Sequence, residues 1–174
     1  MTQAPIVTVS TWVQTHEKGE KCLEAVQRIF PDFLVTEVPT SGEFPIQRDG
    51  IELSCEGLSP DRFLELLGEQ RILDTALDAM SLNIHENTTT FLISRQAALS
   101  GKVAFVLETE RTVGGVIEVS LICNDMVDWL QEATWHSGRV DVPRSVGDEL
   151  SMYRDGAVSE WFDKNGRPTI QSDD

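Results

Sequence analysis

The spacing of apolar residues changes repeatedly along this chain, and this change constrains the fold more than any other feature. Residues 6–13 alternate apolar and polar side chains, with Val7, Val9 and Val13 on one side, as in a strand with one buried face. Residues 17–30 then switch to helical spacing, and Pro31 ends that helix. A chain that mixes both periods without strict alternation of strand and helix predicts an α+β fold.

The later segments extend this pattern. Further strands are predicted at 33–38, 51–56, 89–94, 103–107 and 116–122. Short helices or turns are predicted at 95–101 and 125–133, the second capped by Asn124. Ser59 and Pro60 supply a capping hydroxyl and a first-turn proline for a longer helix, which should run to about Met80. Its apolar stripe shifts at Gly68, which predicts either a kink there or a contact surface that wraps around the helix. The predicted order is β-α-β-β-α-β-(α)-β-β-α, an α+β fold whose helices pack on one face of a mostly antiparallel sheet.

The length of 174 residues suits one domain with an appendage. We predict an α+β domain over residues 1–134 and an acidic C-terminal extension over residues 135–174. The extension contains Trp135, Tyr153, Trp161 and Phe162, an aromatic density unusual for a purely disordered tail. Asn165–Gly166 is a candidate turn for a small hairpin. We expect the extension to dock on the domain or on a protein partner.

Several classes of protein do not fit the sequence. No apolar run approaches the ~20 residues of a membrane helix, and the N-terminus lacks signal-peptide features, which predicts a cytoplasmic location without membrane contact. The three cysteines and three histidines have no metal-ligand spacing, so we predict buried free thiols, no metal and no cofactor. SGKV lacks the first glycine of a Walker loop and has Val103 in place of its Ser or Thr, which excludes nucleotide hydrolysis of that type. No hydrolase constellation is present, and the sequence therefore predicts a non-enzyme.

The charge of the chain complicates any nucleic-acid function. The net charge is −15, whereas proteins that grip a phosphate backbone usually show a basic footprint. Such acidity is consistent with a salt-rich cytoplasm or with the absence of a nucleic-acid partner. The acidity is uneven, however, because the stretch from Asn87 to Leu107 contains Arg95 and Lys102 and no acidic residue. The centre of the chain is therefore the part most open to an anion.

Two groups of polar residues are candidates for a site. Arg95 and Gln96 follow a strand and open a helical turn that Lys102 ends, an arrangement that would hold a phosphate. The alternative is that Arg95 and Lys102 are solvated ends of a connection.

The second group lies on the long helix. Arg71 and Asp74 are spaced i, i+3 and would form a helix-surface ion pair. The alternative is that Gln70 and Asp74 are oriented within a site. An enzyme would have to use this polar stripe beside Arg95, and it is the third hypothesis after a binding protein and an adaptor.

The segments GEKCLEAVQRIFPD, LGEQRILDTA, NTTTFLISRQAALSGKVAFV and GGVIEVSLI resemble, in order and spacing, the signatures of one archaeal family. Its members are uncharacterised, predicted RNA-binding proteins, some of them described as exosome-associated. The resemblance covers residues 6–134 and implies a fold similar to that of a large-subunit ribosomal protein that contacts ribosomal RNA. The family's polar signature falls on Gln70, Arg71, Asp74, Arg95, Gln96 and Lys102. This chain departs from the family in having Arg95 where lysine is common, in its acidity and in its extension.

Together, the residues and the resemblance predict a non-catalytic RNA-binding protein connected with RNA processing or ribosomes. The six polar positions are its predicted RNA contacts. The alternative is a non-catalytic adaptor or assembly protein that binds a protein partner through its acidic surface and residues 135–174. A homodimer formed through sheet edges or helices belongs to this second hypothesis.

Overall fold

A computed structural model describes residues 3–40, 49–108, 110 and 112–146 of the protein. The strands are β1 (Ile6–Val13), β2 (Ile51–Leu58), β3 (Thr88–Ser94), β4 (Phe105–Val106) and β5 (Val116–Ile122). The helices are α1 (Gly19–Ile29), α2 (Asp61–Glu69), α3 (Leu73–Ser81), α4 (Arg95–Leu99) and α5 (Met126–Ala133), followed by a 3₁₀ turn, η1 (Ser137–Val140). None of the helices in these ranges is long and apolar enough to cross a membrane.

The strands form one open sheet in the order β2-β1-β5-β3-β4, and every neighbouring pair is antiparallel. The apolar side of each long strand is buried against the helices, as the alternation in β1 predicts: Val7, Val9 and Val13 are fully buried. At the centre of the core, the ring of Phe63 on α2 lies 5.6 Å from that of Phe30 and 5.7 Å from that of Phe91. The predicted α+β class, with helices on one face of an antiparallel sheet, is confirmed.

The predicted strand at 33–38 is wrong. These residues form no regular element, and the amide of Phe33 donates to the carbonyl of Phe30 in a turn. The side chain of Gln27 then donates to the Phe33 carbonyl at 2.9 Å. Strand β1 pairs with β2 on one side and with β5 on the other. Residues 33–38 therefore cannot pair with β1. Tertiary pairing thus overrides the strand propensity of its β-branched residues.

The single helix predicted from Ser59 to Met80 is two helices. The first of them begins one residue later than predicted, at Asp61 with Pro60 as its N-cap residue, and the Ser59 hydroxyl accepts the amide of Asp61 at 3.2 Å. The chain does not kink at Gly68 but breaks three residues later, where Arg71 takes the left-handed conformation with φ of 57°. The amide of Ile72 donates to the Leu67 carbonyl, and that of Arg71 donates to the Gly68 carbonyl. This is the Schellman arrangement that ends helices, with arginine at the position where glycine is usual.

Three smaller predictions have different outcomes. The strand expected at 103–107 is reduced to Phe105–Val106. Asn124 does not cap α5, whose N-cap residue is Asp125 and makes no side-chain capping bond. The hairpin predicted around Asn165–Gly166 lies outside the described residues.

Candidate functional site

Arg95 lies inside the protein. The residue is 4% exposed, although the sequence placed it among the RNA contacts. Its Nη1 donates to the Thr11 hydroxyl at 2.9 Å and to the Trp12 carbonyl at 2.8 Å, and its Nε donates to the Gly114 carbonyl at 2.9 Å. Its Nη2 forms a salt bridge with Glu17. The guanidinium therefore ties β1, the loop after it and the turn before β5 together, and it is not presented to an external anion.

The turn opposite Arg95 is built to admit the guanidinium. Gly115 has a φ of 79°, a left-handed value that favours glycine. A Cβ atom at this position would lie 2.5 Å from Nη2 of Arg95. The predicted Gly114–Gly115 turn thus also packs against the guanidinium of Arg95. The sequence around the two glycines does not reveal this role.

Gln70 has a structural task as well. Its side-chain amide donates to the carbonyl of Val103 at 2.9 Å and accepts from the amide of Val103 at 2.7 Å. This two-way contact imitates a strand pairing and fastens the end of α2 to the segment before β4. Arg71 and Lys102 are the chain neighbours of these two residues, and both are exposed. The Gln70–Val103 contact thus joins the two segments of the chain in which Arg71 and Lys102 lie.

Gln96 is exposed on α4 and faces the start of α1. Gln96 and Lys18 line the same groove, about 320 Å³ in volume, between these two helices. Lys18 is exposed and occupies the N-cap position of α1. We call the exposed set Lys18, Arg71, Gln96 and Lys102 the α4 rim. Sequence reasoning missed Lys18, because nothing local to it indicates that α1 packs against α4.

Asp74 does not pair with Arg71. Its carboxylate accepts from Nε of Arg139 at 3.0 Å and lies 3.0 Å from Nε2 of His136. Arg139 is itself buried and also donates to the Thr134 hydroxyl at 2.9 Å. One helical turn further along α3, Asp78 binds Arg144 at 3.2 Å. The polar face of α3 is therefore where residues 136–144, the described start of the C-terminal extension, dock on the domain.

The ion pairs of Asp74 predict a pH dependence of stability. Partial burial works to raise the pKa of Asp74, but hydrogen bonds from His136 and Arg139 outweigh it and hold the pKa below its ordinary value. A lowered folded-state pKa stabilises the protein above the unfolded pKa, and this stability is lost as pH falls through the folded value. Asp74→Asn should therefore lower the free energy of unfolding at pH 6, and the difference from wild type should shrink as pH falls below about 4. Because the carboxylate is 38% exposed, solvent screening limits the effect to about 1 kcal/mol.

Urea unfolding followed by circular dichroism between pH 3 and pH 6 measures this difference. Asp128→Asn is the matched control, since Asp128 is exposed and forms no ion pair within the described ranges. A gap between wild type and Asp74→Asn that stays constant across this pH range would contradict the assignment.

Two comparisons with known proteins, one of sequences and one of solved structures, point to the same family. No profile of a defined protein family matches the chain. A UPF0201 protein from Sulfurisphaera tokodaii is 31% identical over 131 residues, covering 74% of this chain and 88% of that protein. A UPF0201 protein from Pyrobaculum islandicum is 33% identical, covering 72% of this chain and 87% of that protein.

A solved structure supports the same relationship. The crystal structure of the UPF0201 protein from Methanococcus jannaschii matches with a TM-score of 0.63 at 25% identity, covering 75% of this chain and 99% of that one. Sequence and structure therefore agree over the same share of the chain, and this protein belongs to the UPF0201 family of uncharacterised archaeal proteins.

Proposed function

We propose that this protein is a non-catalytic RNA-binding protein that holds the phosphate backbone of RNA at the α4 rim. The observation that carries the proposal is the distribution of unpaired cations. The described residues include nine Lys and Arg side chains, of which Lys21, Arg28, Arg62, Arg95, Arg139 and Arg144 form salt bridges. The three that form none in this part of the chain are Lys18, which lines the groove beside α4, Lys102, which follows α4, and Arg71, the chain neighbour of Gln70, whose side chain binds Val103. In a protein with net charge −15, exposed cations that form no salt bridge with the described residues favour binding of an external anion.

The backbone of Arg71 supports the same assignment. A non-glycine residue in the left-handed conformation costs about 1 kcal/mol or more, and such residues concentrate at functional sites. Glycine would end α2 in the same way without this cost. An arginine at this position is consistent with a guanidinium that binds a ligand.

The chemistry of the α4 rim favours phosphate contacts over base reading. The guanidinium of Arg71 offers a fork of donors, Lys102 and Lys18 offer point charges, and the amide of Gln96 can donate to a phosphate or sugar oxygen. None of these side chains is an aromatic platform for stacked bases. Glu17 is the one carboxylate among the described residues that line the groove, and Arg95 neutralises it. Structured RNA, which is recognised largely through its backbone, is the class of ligand that fits these side chains.

The proposal predicts a specific change in salt dependence. In fluorescence anisotropy titrations with a labelled RNA hairpin, each lost phosphate contact should make the slope of log K against log salt shallower by about 0.7–0.9. In the double variant Arg71→Gln/Lys102→Gln, the magnitude of this slope should therefore fall by roughly 1.5. Arg28→Gln removes one exposed cation that is already paired with Glu24, and it should leave the slope unchanged.

Arg71→Gly separates binding from stability. It removes the cation and relieves the left-handed backbone at once, so stability should stay equal or rise by about 0.5–1 kcal/mol while RNA affinity falls. A mutation that damaged the fold would lower both quantities. The absence of binding at about 50 mM salt, or an equal loss in Arg28→Gln, would overturn the proposal.

A further inference from the structure

We propose that the open face of the sheet, centred on Trp12, is a second binding surface that takes a lysine- or arginine-rich, amphipathic segment of a partner protein. This surface lies on the side of the sheet opposite the buried core, and the inference does not depend on RNA binding at the α4 rim. We call it the open face and define it by Ile6, Trp12, Glu52, Glu56, Glu118 and Ile122.

The centre of the open face is an indole between two carboxylates. Trp12 is 51% exposed, and the strand register places Glu52 of β2 directly opposite it. Glu118 of β5 is opposite Ser10 and hence diagonal to Trp12. Side chains directly opposite one another have Cβ atoms about 5 Å apart, and diagonal ones about 7–8 Å apart. A cation placed over the indole would therefore have a carboxylate on each side.

The same residues line a concave surface. Trp12, Glu52 and Glu118 border a cavity of about 430 Å³ together with Gln14 and His16. Arg95 also borders the cavity, but its guanidinium is bound to Thr11, Trp12 and Glu17 and is not a free charge. Among the described residues that line the cavity, Glu52 and Glu118 are exposed carboxylates, and Arg95 is the only Lys or Arg. An ammonium or guanidinium group fits such a site, because it can stack on the indole and bind a carboxylate.

The charge of the whole sheet points to the same kind of partner. The five described strands contain no Lys or Arg, and their three Glu residues are all exposed. The negative charge of these residues repels phosphate, whereas the α4 rim is positively charged. It is complementary to a basic polypeptide.

Exposed aliphatic residues extend the surface and argue for a segment rather than a small cation. Ile6 and Ile122 face each other across β1 and β5 and are 49% and 46% exposed. From Ile6 to Trp12 the strand rises about 20 Å, at ~3.3 Å per residue. A surface of this length with apolar residues at one end and a cation site at the other matches an extended segment of about six residues. Exposed apolar patches rimmed by polar residues commonly mark protein-binding sites.

The experiment uses the full chain and a labelled octapeptide of alternating Arg and Leu, with an alternating Glu and Leu octapeptide as the charge-reversed probe. The basic peptide should bind, and the acidic one should not. Glu52→Gln/Glu118→Gln keeps side-chain size and should weaken the basic peptide about tenfold. Trp12→Leu should weaken it about fivefold through loss of the cation–π contact. The control Glu20→Gln/Asp128→Asn removes the same charge from helices α1 and α5 and should change the affinity less than twofold.

Several outcomes would overturn the proposal. One is an equal loss in the control pair, which would mean that net charge alone attracts the peptide. Another is binding of spermine as tight as that of the peptide, which would assign the surface to a small cation. A third is dimerisation of the wild type in sedimentation that Trp12→Leu abolishes, which would make a second copy the occupant. Unchanged peptide binding in Arg71→Gln/Lys102→Gln is expected, and it keeps this test separate from that of RNA binding.

Discussion

Replacing Arg95 with alanine is expected to lower the free energy of unfolding by about 3–5 kcal/mol, which is the usual cost of removing one partner from a buried ion pair. The loss would strip hydrogen bonds from the carbonyls of Trp12 and Gly114 and from the Thr11 hydroxyl, and it would leave Glu17 without its cation. Arg95 is 4% exposed and Glu17 is 17% exposed at the side chain, so water replaces these contacts poorly. Urea unfolding monitored by circular dichroism measures the change.

Two further variants test the explanation. Arg95→Lys keeps the charge but cannot reproduce the fork that reaches four acceptors, so it should recover only part of the stability. Glu17→Gln keeps a hydrogen-bonding group of the same shape and should cost less than Arg95→Ala. A loss below about 1 kcal/mol for Arg95→Ala would show that the buried guanidinium is not the tie between β1 and β5. A loss of RNA binding in Arg95→Ala would follow from this unfolding and would not identify Arg95 as an RNA contact.

Replacing Phe63 with alanine should cost about 3–5 kcal/mol, the range for large aromatic residues in a packed core. Phe63 is 2% exposed and joins three parts of the fold. Its ring packs on Phe30 at the end of α1, on Phe91 in β3 and, at 6.3 Å and nearly perpendicular, on Phe105 in β4. The cavity left behind would separate α2 from the sheet, and the rings around it would lose their stacking partner.

Thermal and urea unfolding of Phe63→Ala and Phe63→Leu check this prediction, and the leucine variant should fall between alanine and wild type. Leu34→Ala is the control, because Leu34 is 73% exposed and its truncation should change stability by less than about 0.5 kcal/mol. A similar loss in Leu34→Ala and Phe63→Ala would contradict the assignment of Phe63 to the centre of the core.

The two proposed surfaces differ in charge and lie next to each other, because the groove beside α4 and the cavity beside Trp12 share Glu17, Arg95 and Gly114. The α4 rim presents Lys18, Arg71 and Lys102 without salt-bridge partners in the described residues, while the open face presents Glu52, Glu56 and Glu118. Under these two proposals the protein binds RNA at the α4 rim and a basic protein segment on the open face.

The candidate site could be predicted from sequence only in part. Gln70, Arg71 and Asp74 are neighbours on a predicted polar helix face, and no pattern separates their roles. In the structure, Gln70 clamps Val103, Arg71 faces solvent and Asp74 binds Arg139. Arg95 and Lys102 were predicted together as phosphate contacts, yet Arg95 is buried and Lys102 is exposed. Whether those at the surface bind RNA stays a prediction.

The sequence by itself determined the local elements and the class of the fold. Period-two alternation in β1 and β5, helical spacing in α1 and the Ser59–Pro60 helix start depend on residues within one or two turns of each other, and all of them appear in the structure. The tertiary structure alone decided which polar side chains are free. The partners of Arg95 lie up to 84 positions away and those of Asp74 about 65, so burial and ion pairing are set by contacts that no local pattern encodes. The contact between Gln70 and Val103, 33 positions apart, is likewise one that no local pattern encodes.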